Sequence, residues 1–142
     1  MIHQVLGIGR WAVDFLFAVD RYDKEGVLGC LYDAGAPSSI LRKAERLMDE
    51  AEYNSGLTYT NERLKRGVVL IGPTTSGDEF LDSFTHELRH LVDYIAPSAG
   101  VALDSEDAAY LSGDTARTLF EVVCALGCNS AQADSLPSAG RR

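Results

Sequence analysis

The chain has 142 residues, of which 46% are hydrophobic and 24% charged, and its formal net charge at pH 7 is −8. This length predicts one domain, and the negative charge argues against a nucleic-acid partner, because phosphate binding depends on clustered Lys and Arg side chains. We also expect no membrane partner and a cytoplasmic location, since the sequence shows neither the roughly 20-residue apolar run of a membrane helix nor the start of a secretory signal.

The first half of the chain predicts one strand followed by two helices. Residues 11–19 are aromatic and β-branched and carry little charge, which is typical of a central strand. Residues 20–33 have apolar side chains at helical spacing, so a short helix is preferred over a hairpin strand. Residues 38–53 carry an apolar stripe behind a serine that can cap a helix, which predicts the second helix.

Two further strands and the most regular helix follow. Residues 57–61 and 68–71 are predicted strands joined by a charged turn, and the second is a continuous apolar run suited to burial in a sheet. After a Gly/Pro loop, Ser76 or Asp78 can cap a helix that runs to about Ala96. Apolar side chains recur along this helix at spacings of three and four: Phe80, Leu81, Phe84, Leu88, Leu91, Val92 and Ile95. These elements predict an α+β domain with a sheet of about three strands.

The C-terminal part predicts one long helix and a disordered tail. The helix spans about Ser105 to Leu126, and one polar stripe along it consists of Glu106, Tyr110, Asp114 and Arg117. We expect an ion pair between the last two residues of this stripe. Cys124 and Cys128 lie one turn apart among apolar residues, which predicts packing in the core. Residues 129–142 are polar and poor in apolar side chains, so the predicted domain covers residues 1–128.

The segment from His86 to His90 reads H-E-L-R-H and lies within the most regular helix. Residues four apart lie on one helical face, separated by a rise of about 6 Å, so two imidazoles can bind one cation. Glu87, about 100° further round the helix, can flank a metal without binding it. A bare motif arises by chance on the order of once in several hundred chains of this size. Here it follows an apolar strand and a Gly/Pro loop, which favours a zinc site over a solvated helix surface.

A catalytic zinc ion takes three protein ligands and leaves a fourth position to water. Asp93 is about 10 Å of helical rise from His86, too far for both to reach one ion, so a simple polar role is preferred. Glu106 follows a loop that permits a chain reversal and is the predicted third ligand, with Asp107 as the alternative. Tyr110 would then lie near the metal and could donate a hydrogen bond to a developing oxyanion, the alternative being a tyrosine at the edge of the core.

The predicted order of elements resembles that of the gluzincin metallopeptidases, especially the single-domain minigluzincins. This order is strand, helix, strand, motif helix and glutamate helix. Residues 11–120 also resemble short uncharacterised proteins of gut bacteria and their phages, in the phrases GLTYTNERL, FLDSFTHELRHLVDYI and EDAAYLSGDTAR. The resemblance implies a single zincin-like domain with His86, His90 and Glu106 as zinc ligands and Glu87 as general base. The chain departs from larger gluzincins in lacking a second domain, and its interval between His90 and Glu106 is shorter than is typical.

Two functions of different classes follow from these residues. The first is a zinc-dependent peptidase in which Glu87 acts as the base and Tyr110 as a hydrogen-bond donor. Its peptide or protein substrate would be held as an added strand, on residues 57–61 or 68–71. The second is a non-catalytic, zinc-stabilised protein-binding module, which needs the metal ligands but not Glu87. A metal-free helical scaffold is the least favoured interpretation.

Overall fold

The computed structural model describes residues 1–128, so the predicted disordered tail lies outside the described residues. Four strands form one mixed sheet: β1 (Ile2–Ile8), β2 (Trp11–Phe17), β3 (Gly56–Asn61) and β4 (Arg66–Ile71). Their order is β1-β2-β4-β3, with β2 and β4 parallel at the centre and β1 and β3 antiparallel to their neighbours at the two edges. The α+β prediction is confirmed, and the central position of the strand beginning at Trp11 is also confirmed.

The prediction of about three strands was wrong because it missed β1. In its sequence, IHQVLGI, apolar and polar side chains do not alternate regularly, and Leu6 is the one buried side chain of this strand. The sequence feature that could have indicated this strand is the turn after it. Gly9 and Arg10 form a two-residue loop between Ile8 and Trp11, and Gly9 has a φ of 58°, in the left-handed region that favours glycine.

Helices cover both faces of the sheet. One face carries α1 (Lys24–Asp33), which follows a short 3-10 turn (Arg21–Asp23), and α2 (Ser38–Asp49). The other face carries α3 (Gly77–Ser98), α4 (Glu106–Thr118) and α5 (Phe120–Gly127). Helices predicted in the regions 20–33, 38–53 and 78–96 are therefore present. Within residues 1–128, no helix combines the length and the apolar character needed to cross a membrane.

The sheet separates two apolar cores, since alternate side chains of the central strands point to opposite faces. The core under α3, α4 and α5 contains Val13, Phe15 and Phe17 from β2 with Val69 and Ile71 from β4. The core under α1 and α2 contains Leu16, Val68 and Leu70. The apolar stripe predicted along α3 is buried in the first core, apart from Leu81, which is 45% exposed. This packing fixes which face of α3 points away from the sheet.

The single helix predicted from Ser105 to Leu126 is in fact two helices that meet at Leu119. The hydroxyls of Thr115 and Thr118 each donate to the carbonyl four residues earlier, both at 2.8 Å, and such bonds bend helices. Leu119 is buried at the junction. The prediction that Cys124 and Cys128 pack in the core was also wrong: both are exposed, and the α5 side chains that pack against the core are Val122, Val123 and Leu126.

Candidate metal centre

Helix α3 presents the motif histidines to solvent. Its N-terminus is capped by Ser76, whose hydroxyl accepts a hydrogen bond from the backbone N–H of Glu79 at 3.4 Å. Phe84 and Leu88 point into the core, and the 100° step per residue then directs His86 and His90 outward. Both histidines are exposed. The local sequence thus produces a two-imidazole face on a helix whose opposite side is buried in the core.

The two imidazoles are in direct contact. The Nε2 atoms of His86 and His90 are 3.1 Å apart, and the rings meet edge to face at a centroid distance of 4.7 Å. In a tetrahedral zinc site with Zn–N bonds of about 2.0–2.1 Å, two such nitrogens lie about 3.3 Å apart. The observed distance also corresponds to a hydrogen bond between a protonated and an unprotonated ring nitrogen. The separation of the two nitrogens is therefore compatible with a shared ion as well as with a direct hydrogen bond.

Glu87 is buried between α3 and the edge strand β3, with only 5% of the residue exposed. The hydroxyl of Thr58 lies 2.8 Å from Oε2 of Glu87 and donates a hydrogen bond to it. Gly56, also in β3, approaches the same side chain so closely that a Cβ at this position would lie 2.8 Å from Cγ of Glu87. Strand β3 thus fixes the orientation of a carboxylate that lies beside the histidine pair in sequence.

The position in the sheet distinguishes the two strands that were predicted to bind a peptide. Strand β4 is central and pairs on both sides, with β2 and with β3. Strand β3 pairs only with β4 among the described residues, so one of its edges is free. Of the two, only β3 can accept an added strand.

Helix α4 does not bring the predicted third ligand to the histidines. Among residues 1–128, His86, His90 and Glu106 do not form a group whose ligand atoms all lie within 4.8 Å of one another. Asp107 and Tyr110 line a cavity of about 640 Å³ together with Ile95. Ile95 lies about 140° around α3 from His90, so this cavity opens on another side of the helix.

Helix α5 also lies on that far flank of α3. A Cβ placed on Gly127 would be 4.0 Å from Cγ of Leu81, which lies about 140° around the helix from His86 and about 180° from His90. Glu106 and Tyr110 are both exposed. The roles of Glu106 as metal ligand and of Tyr110 as hydrogen-bond donor thus stay predictions, since the described residues do not bring either side chain to the histidine pair.

The remaining polar residues of the two helices form surface ion pairs. Asp93 accepts a hydrogen bond from Nε of Arg89 at 2.7 Å, one turn earlier on α3, in agreement with the polar role preferred for it. Arg117 and Asp114 are 3.3 Å apart, which confirms the expected i,i+3 pair.

The structure also gathers three potential metal ligands that the sequence did not indicate as a group. His3, Asp14 and Cys30 come from β1, β2 and α1, and their ligand atoms lie within 4.8 Å of one another. The one local signal was Asp14, a carboxylate in the middle of the apolar strand WAVDFLF. The partners are distant in sequence, so only the fold identifies them.

Comparisons with models of known protein families, with curated proteins and with solved structures gave no match. The gluzincin resemblance and the zincin-like fold therefore stay predictions.

Proposed function

We propose that the protein is a zinc-dependent metallopeptidase, with His86 and His90 as metal ligands and Glu87 as general base. The observation that carries this proposal is the 3.1 Å separation between the Nε2 atoms of His86 and His90. The carboxylate of Glu87, which lies between these residues in the sequence, accepts a hydrogen bond from Thr58 in β3. A solvated helix surface gives no reason for a buried glutamate between two exposed histidines. A hydrolytic site requires both features, metal ligands open to water and a fixed base.

Zinc, when bound, supplies Lewis acidity and makes a water molecule easier to deprotonate near neutral pH. With an ion held by His86 and His90, Glu87 would take a proton from the attacking water and would later deliver it to the leaving amine. The hydroxyl of Thr58 occupies one lone pair of Oε2 and holds the carboxyl group in one orientation. The other lone pairs of the carboxylate stay available for proton transfer, so Thr58 acts as a positioning residue.

The free edge of β3 supports a peptide as the substrate. An extended peptide can pair with this edge through backbone hydrogen bonds, and such pairing is independent of side-chain identity. Because Gly56 and Thr58 in β3 contact Glu87, a peptide on this strand would lie beside the base. This juxtaposition favours peptide hydrolysis over hydrolysis of an unrelated small molecule.

Glu106 remains the proposed third ligand, with Asp107 as the alternative, and both require α4 to approach the histidine face of α3 more closely. Metal content measured for the parent protein and for Glu106→Ala tests this assignment. A sharp fall in zinc in the variant would support Glu106. Unchanged zinc would assign the third position to water or to another residue.

Activity is tested with zinc-loaded parent protein and the Glu87→Gln variant on a broad peptide library. We expect cleavage by the parent, loss of cleavage in Glu87→Gln, and equal zinc content in both. Glu79→Gln is the matched control, because this glutamate lies on the same helix two turns away and should leave cleavage unchanged. Equal inertness of zinc-loaded parent and Glu87→Gln would refute the peptidase and favour the zinc-stabilised binding module.

A further inference from the structure

Three chemically different metal ligands meet on the face of the sheet that carries α1 and α2. Nε2 of His3 lies 2.7 Å from Oδ1 of Asp14, and the ligand atom of Cys30 completes a group within 4.8 Å. The three residues belong to an edge strand, a central strand and a helix. An imidazole, a carboxylate and a thiol are together the ligand types that zinc prefers.

Asp14 is the buried member of this group, with 5% of the residue exposed. A carboxylate in an apolar core is costly unless its oxygens have partners. Oδ1 faces His3, whereas Oδ2 lies 3.3 Å from a guanidinium nitrogen of Arg66. This division suits binding of a metal through one oxygen, because the second oxygen keeps its hydrogen bond and orients the ligand.

The charges around Cys30 favour a cation. Burial raises the pKa of the Cys30 thiol above its ordinary value, and the negative charges of Asp14 and Asp33 raise this pKa further, against a smaller opposing effect of Arg66. A divalent cation at this position would be attracted by the two carboxylates and would release the thiol proton to solvent.

We propose that His3, Asp14 and Cys30 form a second metal site, selective for zinc or a zinc-like divalent ion and independent of the histidine pair on α3. The two sites are on opposite faces of the sheet, since α1 packs on one face and α3 on the other. The role of this site is structural. It ties β1, in which Leu6 is the one buried side chain, to the central strand and to α1.

The test uses Co²⁺ as a spectroscopic probe in the full-length chain. The background variant carries His86→Ala and His90→Ala, which remove the helix pair, and Cys124→Ser and Cys128→Ser, which remove the other thiols. All four of these residues are exposed, so the background should fold. We expect thiolate-to-cobalt charge-transfer absorption that saturates at about one ion per chain.

Adding Cys30→Ala to this background should abolish the absorption. Zinc should raise the melting temperature of the background and leave that of the Cys30→Ala protein unchanged, because a ligand that binds only the folded state stabilises it. Absence of the charge-transfer band in the background at excess Co²⁺ would overturn the proposal, whether or not Cys30→Ala folds. Since the helix histidines are already removed, neither outcome depends on the peptidase proposal.

Discussion

Replacing Gly56 with alanine tests how closely β3 approaches the carboxylate of Glu87. The new Cβ would lie 2.8 Å from Cγ of Glu87, closer than real Cβ atoms approach other atoms, and 3.0 Å from both its Cδ and its Oε1, so the Glu87 side chain would have to shift. Gly56 does not have a positive φ, so the backbone itself accepts alanine. The cost of the substitution therefore comes from the contact and not from backbone strain.

The expected magnitude combines two opposing effects. Overpacking a well-packed contact costs about 1–3 kcal/mol, whereas replacing glycine by alanine within a strand returns about 0.5–1 kcal/mol. The two ranges combine to a net loss between about zero and about 2.5 kcal/mol. With a urea m-value of about 2 kcal/mol/M, the unfolding midpoint would fall by up to about 1.2 M.

Urea unfolding followed by circular dichroism measures this loss, with Gly7→Ala as the matched control. Gly7 is also in a strand, but a Cβ there meets nothing within 4 Å, so its substitution should be neutral or stabilising. The decisive comparison is Gly56→Ala in a Glu87→Ala background, where the clashing atoms are absent and the cost should vanish. An equal cost in both backgrounds would show that the proposed contact with Glu87 is not its cause.

Four shorter predictions concern the helix site, the core and the thiol of Cys30. Thr58→Val should destabilise the protein by about 1.5–3 kcal/mol by removing a hydrogen bond to a carboxylate, whereas Thr58→Ser should match the parent in urea unfolding; equal stability of the two variants would contradict this reasoning. His90→Ala should lose zinc, measured by mass spectrometry, while its stability without metal changes by no more than about 0.5 kcal/mol because the residue is exposed; retained zinc would argue against the site. Phe84→Ala should cost about 3–5 kcal/mol, since the ring is 2% exposed and packs against two other phenylalanines; a loss below about 1 kcal/mol would be inconsistent with this core. Iodoacetamide should modify Cys30 more slowly than the exposed Cys124 at pH 8, because iodoacetamide reacts with the thiolate and burial raises the pKa of the Cys30 thiol above its ordinary value of 9.0. Equal rates of modification in peptide mass spectrometry would contradict this reasoning.

Local patterns in the sequence predicted most of the elements correctly. The apolar stripe of α3 indicated both the helix and its buried face, because the 3.6-residue period is a property of neighbouring residues. The same pattern predicted that His86 and His90 share one face and that Glu87 flanks them. It failed where apolar periodicity was weak, at β1, and where threonine hydroxyls bend the chain near Leu119.

Two further properties of the site depend on contacts between distant segments. The pairing of β3 with β4 leaves the edge of β3 free, and it places Thr58 and Gly56 against Glu87. No spacing within the motif indicates either contact. They arise because α3 crosses the sheet near this edge, which is a consequence of how the two layers pack.

The sequence alone determined the imidazole pair, since residues four apart on a helix must lie together. The sequence could not determine which residue of another helix lies beside His86 and His90, because this depends on which flank of α3 the other helix packs against. The tertiary structure places α4 and α5 on the flank away from His86 and His90, where Ala108 and Leu119 share an apolar core with Leu88, Val92 and Ala96. The same packing brings His3, Asp14 and Cys30 together from three elements, through hydrophobic burial that no local spacing encodes.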